Sequence, residues 1–239
     1  MRLCMGMKYI KGTIPQHYNH YVQAAFYNKL PTVIAESLHE RGFQEGPRKF
    51  KLFTFSRLMG DFERENDGLK FDPKSNVYLC FSSPMEIIVK EMAKTIMEDP
   101  VFRIGKGEFY VDSMKVRDET VSEGQFYTLS PVTIYKHVED GVRYISPYEA
   151  EFQHLASLNA ERKLMAIIGR KPTTPLRVVP LQVRSVGVRY KKNYIIAWKG
   201  KFTITGPSSL IKVIYEAGLG SKNSQGFGML EVEGKSVRD

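Results

Sequence analysis

An α+β fold is predicted for this chain from three observations. Apolar residues alternate in short runs, as half-buried strands require, and between those runs they recur every third or fourth residue, as helices require. The resulting order, β-α-β-β-α-β, occurs twice, on either side of a polar, acidic segment at residues 118–124. A glycine-dense stretch, Gly218-Leu219-Gly220-Ser221-Lys222-Asn223-Ser224-Gln225-Gly226-Phe227-Gly228, then separates the last helical run from the last strand. Two such units in tandem are two ferredoxin-like domains, each an antiparallel four-stranded sheet with two helices on one face. The expected domains are residues 1–120 and 125–239. The same βαββαβ frame is RRM-like: RNA-recognition modules stack bases on its open sheet face.

Each element has a local cause. Residues 2–10 read as a strand. From Tyr18 the spacing becomes helical, with Val22, Phe26 and Leu30 at every fourth position. Pro31 stops that helix and suits the first position of the next. The second helix turns Val33, Ile34 and Leu38 inward and ends at Gly42, a C-cap. Residues 49–58 alternate like a strand, and residues 60–70, rich in charge and glycine, read as a surface connection. A strand at 77–82 precedes a helix opened by Pro84, with Met85, Ile88, Met92 and Ile96 on one face and Asp99-Pro100 at its end. Residues 109–116 complete the first unit. In the second, a strand at 126–134 leads to a hairpin turning at Glu139-Asp140-Gly141, and Ser146-Pro147-Tyr148-Glu149 fits a capping box. The helix after it runs to Ile168, with a break expected near Asn159. Strands at 178–189 and 194–205 flank Lys191-Lys192-Asn193. Gly206-Pro207 opens a helix with Leu210, Val213, Ile214 and Ala217 inward, and residues 227–232 form the last strand.

The 239 residues are 42% hydrophobic and 26% charged, the composition of a soluble globular protein. No apolar run approaches the roughly 20 residues that span a bilayer, so no membrane role is expected. The N-terminus is too short and interrupted for a signal peptide. Cys4 and Cys80 lie far apart without a CxxC and are expected to be reduced core thiols of a cytoplasmic protein. The net charge of +9 is uneven: residues 1–120 contribute +2 and residues 121–239 contribute +7. Residues 162–222 hold 13 cations and one acid, Glu216. A basic excess spread over strand patterns is the signature of a polyanion-binding face, with nucleic acid the leading partner.

Common chemistries are excluded. The glycine-rich loop is not a P-loop, because it lies between a helix and a strand and Gly226 is followed by Phe227. There is no GxGxxG after a strand, no GxSxG and no HExxH. His17 and His20 have a spacing that could reach one metal, but no third ligand is evident, so neither metal nor cofactor is expected. His39 stands at a helix end, where the dipole favours an imidazolium, with Arg48, Lys49 and Lys51 downstream and Tyr27 one helix earlier. Within the loop, Lys222, Asn223 and Ser224 suit an anion. On composition alone a turn is the favoured reading of the loop, and a helix cap that of His39.

The loop GLGSKNSQGFGML resembles the signature loop of the CRISPR repeat-processing endoribonucleases, members of the RAMP superfamily. YNHYVQAAFYN (18–28), SLHERGF (37–43), KLFTFSRL (51–58) and FYTLSPVTI (126–134) resemble the same family, in the same order. The resemblance implies metal-independent cleavage of precursor CRISPR RNA within its repeats. The RNA's own 2′-hydroxyl would attack the adjacent phosphate, leaving a 2′,3′-cyclic phosphate (or its hydrolysed form) and a 5′-hydroxyl. By position it implies Tyr27, His39 and Lys51 as the catalytic set, with Lys49 as the substitute for Lys51. RNA contacts would come from Lys49, Lys191, Lys192 and Lys222 and from the loop residues Gly218, Gly220, Asn223, Ser224, Gly226 and Gly228. The implied partners are repeat RNA, with other CRISPR effector-complex subunits and a second copy of the chain as further candidates. A non-catalytic RAMP subunit that holds guide RNA in an effector complex is the alternative; it needs no proton-transfer group at Tyr27, His39 and Lys51.

Overall fold

The computed structural model describes residues 1–65 and 68–236. Positions 66–67 of the expected surface connection and 237–239 of the second expected domain lie outside the described residues. Strand β1 (Arg2–Lys11) is followed by helices α1 (Asn19–Asn28) and α2 (Thr32–Glu36) and a π-helical turn, Ser37–Arg41. A hairpin of β2 (Phe43–Glu45) and β3 (Arg48–Phe50) leads to β4 (Thr54–Phe55). A second hairpin, β5 (Phe62–Glu65) and β6 (Gly68–Phe71), leads to β7 (Asn76–Ser82), α3 (Glu86–Glu98), β8 (Val101–Ile104) and β9 (Gly107–Arg117). The second half runs β10 (Gly124–Thr128), β11 (Tyr135–Val138), β12 (Gly141–Tyr144), α4 (Ala150–Ile168), β13 (Arg177–Tyr190), β14 (Asn193–Thr205), α5 (Ser208–Ala217) and β15 (Leu230–Val232).

Both halves have the ferredoxin-like strand order. The first sheet is β4-β7-β1-β9-β8 and the second β13-β14-β10-β15. In each, the second, third, first and fourth strands of a βαββαβ unit lie side by side and antiparallel; β8 adds an edge to the first. Each half has its own core. Leu3, Met5, Phe26, Phe81 and Phe102 belong to the first. Phe126, Phe152, Phe202 and Ile214 belong to the second.

The halves are joined by buried polar bonds as well as apolar contact. Arg2, at the start of β1, is 2% exposed and lies against β15 and α5. Its guanidinium donates to Glu231 Oε2 at 2.8 Å, Leu230 O at 2.8 Å and Tyr215 O at 3.1 Å, and lies 3.9 Å over the Tyr215 ring. Removing one partner of such a pair leaves a buried charge uncompensated, typically a loss of about 3–5 kcal/mol.

Several expectations are corrected. Val33, expected inward, is 79% exposed because α2 is a short surface helix of five residues, and the strand expected at 126–134 ends at Thr128. The strand expected at 49–58 is two pieces, β3 and β4, separated by Leu52 at φ +50°. The cause is that neighbouring side chains serve different cores: Leu52 is buried in the second and Phe53 in the first. The surface connection at 60–70 is built on the β5–β6 hairpin, with Phe62 opposite Phe71. Helix α4 runs without a break through Asn159, which is buried. Finally, Cys4 and Cys80 are register partners on β1 and β7 and form a disulfide, with Cα atoms 4.1 Å apart. Among the described residues, no helix is long and apolar enough to cross a membrane.

Candidate active site

His39 rides on the π-helical turn Ser37–Arg41. Such turns re-aim side chains and are frequent at functional sites. Gly42 closes the turn, its N–H reaching Ser37 O at 2.9 Å with φ +61°. A Cβ there would stand 2.7 Å from Phe50 O, so the turn packs backbone to backbone on β3, an approach that glycine permits. Tyr27, near the end of α1, sets its ring 6.2 Å from the His39 ring, edge to face, and 5.8 Å from that of Phe53. Lys51 Nζ donates to the carbonyls of Leu38 and His39. Three side chains drawn from α1, the π turn and the break between β3 and β4 therefore converge.

Their protonation differs. Burial, with a smaller contribution from Tyr190, pushes the Tyr27 hydroxyl up to about 12. Tyr27 thus keeps its proton at neutral pH, which leaves its hydroxyl able to donate a hydrogen bond. Burial first, and the neighbouring Lys49 cation second, pull the Lys51 ammonium below its usual range. His39 stands exposed on the π-helical turn.

Lys49 and Lys51 open onto a cleft of about 520 Å³ between the halves. Its far wall carries Tyr135 and His137 of β11 and Gly220, Lys222, Asn223 and Ser224 of the glycine-rich loop. Burial lowers the Lys222 pKa, and its ammonium lies 4.6 Å over the Tyr135 ring.

The loop is pinned from both halves. Asn19 Nδ2 reaches Gln225 O at 2.8 Å, Gln23 Nε2 reaches Ser224 O at 2.7 Å, and Thr54 Oγ1 reaches Phe227 O at 2.9 Å. From the second half, Ser221 N donates to Thr133 O and Gly228 N to Pro131 O, each at 2.8 Å. Asn223 Nδ2 ties Leu219 O to Phe227 O from inside. Gly218, Gly220, Gly226 and Gly228 are buried, whereas Ser221, Lys222, Ser224 and Gln225 are half-buried. Gly226 has φ +84°, and a Cβ would come 2.4 Å from the Phe55 ring. Gly226→Ala is expected to cost about 1–3 kcal/mol, lowering Tm by roughly 2–4 °C per kcal/mol; a thermal melt measures it.

Lys163 of α4 is the residue that the charge count misplaces. It is 2% exposed, not part of a basic surface. Its Nζ donates to Gly218 O at 2.6 Å, Gly220 O at 2.9 Å and Asn223 Oδ1 at 2.7 Å. A helical spacing was the available signal, since Phe152, Ala156, Ala160 and Lys163 fall on one buried face. Lys191 and Lys192 sit elsewhere. They are exposed at the tip between β13 and β14 and do not line the cleft. Lys191 adds to burial in lowering the pKa of His20. Among the described residues, no three His, Cys, Asp or Glu side chains gather as a metal-binding group.

Comparison with known proteins decides the family. The family description "CRISPR-associated protein Cas6, N-terminal" matches residues 13–115, and "CRISPR associated protein Cas6, C-terminal" matches residues 112–232. The chain belongs to the Cas6 family. The "CRISPR-associated endoribonuclease Cas6" of Pyrococcus furiosus is 31% identical over 232 residues, covering 94% of this chain and 85% of that protein. "CRISPR-associated endoribonuclease Cas6 1" of Methanocaldococcus jannaschii is 30% identical over 237 residues, covering 95% and 90%. A solved structure described as "CRISPR associated protein Cas6" has a TM-score of 0.80 at 27% identity, covering 97% of this chain and 98% of that chain. A second, "Characterization of a Cas6-related gene from Pyrococcus furiosus", shares the fold with a TM-score of 0.81 at 23% identity, covering 99% of each chain. Tyr27, His39 and Lys51 fall in the Cas6 N-terminal match and the glycine-rich loop in the C-terminal match, so the cleft is built jointly by both parts.

Proposed function

We propose that this Cas6-family chain cleaves precursor CRISPR RNA within its repeats as a metal-independent endoribonuclease. The observation that carries the reading is the convergence of Tyr27, His39 and Lys51 beside a cleft whose opposite wall is the glycine-rich loop. The 2′-hydroxyl attacks the adjacent phosphorus, the bond to the 5′-oxygen breaks, and a 2′,3′-cyclic phosphate and a 5′-hydroxyl result. One proton leaves the attacking oxygen and one joins the leaving oxygen, and His39 serves this exchange. Tyr27, held protonated, donates a hydrogen bond that orients the reacting group. Lys51 or Lys49 stabilises the charge that grows on the pentacoordinate phosphorus.

RNA is held by charge first. Lys49 on one wall and Lys222 and Ser224 on the other face the cleft and suit backbone contacts. Lys191 and Lys192 would bind RNA that extends past the β13–β14 tip. The buried glycines act by shaping the loop.

The test is incubation of labelled repeat RNA with the protein in excess EDTA. Cleavage at one site is expected, and a single 2′-deoxy substitution immediately 5′ to the cut should abolish it. Activity that disappears in EDTA and returns with Mg²⁺ would overturn the mechanism.

A further inference from the structure

The two walls of the cleft differ in chemistry. On the first-half wall Arg48, Lys49 and Lys51 face the cleft, and among the described residues none of them pairs with a carboxylate, Lys51 being held by the carbonyls of Leu38 and His39. On the second-half wall the hairpin cations are already engaged. Lys136 Nζ bonds both Glu151 oxygens, at 2.7 and 3.0 Å, and Arg143 pairs with Glu149 and Glu151. Besides the paired Lys136, what that hairpin presents to the cleft is aromatic. Tyr135 and His137, two apart on β11, share one face of the strand, with ring centroids 5.6 Å apart, edge to face. His137 is exposed and Tyr135 half-buried.

A nucleotide has the same division, an anionic phosphate on one side and a flat π-face on the other. Sequence-tolerant stacking on aromatic side chains is how unpaired bases are commonly held. We infer that Tyr135 and His137 form a base platform that receives the nucleotide flanking the scissile phosphate, while the cationic wall takes the phosphate itself. The platform is fixed relative to the loop. Ser221 N donates to Thr133 O just before β11, and Lys222 Nζ covers one face of Tyr135 at 4.6 Å. The two rings stand at 84° to each other, so a base that stacks on the exposed His137 ring meets Tyr135 with its edge. Tyr135 and His137 are thus positioning residues: by holding the base they place the phosphate at the Lys49 and Lys51 side of the cleft, where Lys51 joins the His39 turn.

The inference rests on the cleavage reading above, and one experiment separates the two. Repeat RNA carrying 2-aminopurine at the nucleotide on either side of the cut is bound to a His39→Ala protein. Stacking on the platform is expected to quench one of the two probes. Tyr135→Ala/His137→Ala should remove the quench and, in an otherwise wild-type protein, raise KM about tenfold or more, with a smaller change in kcat. Tyr135→Phe/His137→Phe should recover most of the quench and most of the KM, because phenyl rings stack without exchanging protons. A quench unaffected by the double alanine variant overturns the platform. So does a double phenylalanine variant as slow as the alanine one with a limb missing from its pH profile, which would make His137 a proton-transfer group. A wild-type protein that does not cut repeat RNA at all would instead sink the cleavage reading.

Discussion

His39→Ala is expected to slow single-turnover cleavage of repeat RNA by about 10²- to 10⁴-fold, the usual range for removing a positioned acid or base. Binding should change little, because His39 is not among the residues that line the cleft and the charge that attracts RNA lies elsewhere. The variant should fold, since the π-helical turn is held by backbone bonds and by Lys51. Tyr27→Phe gives the companion result. Because burial holds that hydroxyl at about 12, its loss should lower the rate without moving any limb of the pH–rate profile between pH 5 and 9. A His39→Ala protein that cuts at the wild-type rate removes the assigned site. A limb that shifts in Tyr27→Phe makes the phenol a proton-transfer group.

A large effect on stability is also expected at Lys163. Lys163→Met keeps the bulk of the side chain but leaves Gly218 O, Gly220 O and Asn223 Oδ1 without their donor. Each orphaned buried acceptor is worth about 1–3 kcal/mol. Relief from burying an ammonium offsets part of that, so a net loss of about 3 kcal/mol is expected, or roughly 6–12 °C in Tm. Two effects compete at the nitrogen. Three acceptors match the three donors of an ammonium, while burial alone pulls the pKa down to about 7 from 10.5. The lowered value has a definite sign. Between about 7 and 10.5 the unfolded chain holds a proton that the folded one has released, so wild-type stability gains over Lys163→Met as pH rises through that window. Melts at pH 6 and pH 9 measure it. A Tm difference that narrows at pH 9 contradicts the assignment, and an unchanged Tm in Lys163→Met removes the pin itself.

Much of this architecture is visible in the pattern of apolar residues, and what is hidden has recognisable causes. The ferredoxin-like order is legible because long strands and helices change period sharply, as where β14 gives way to α5. Strands of two to four residues, such as β4 and β8, are too short to show a period. Residues 49–58 alternate convincingly, yet Leu52 and Phe53 are both buried because there are two cores to serve. The Cys4–Cys80 pairing is invisible because it follows from the register of β1 with β7 rather than from spacing. The same applies to the site. Tyr27, His39 and Lys51 are suggested by resemblance and meet in space. Asn19, Gln23 and Lys163 hold the loop from elements more than 50 residues away, and no local pattern announces them.

The backbone between Lys51 and Phe53 has a mechanical consequence. Lys51 holds the His39 turn, Leu52 is anchored in the second core and Phe53 in the first. Ser83 Oγ adds a bond to Leu52 O at 2.7 Å. Three successive residues thus rivet both halves and the proposed reacting groups to one point, in a conformation at Leu52 that only rigid surroundings maintain. A joint of that kind is expected to resist opening of the cleft, so that the two walls should hold their spacing when a strand enters.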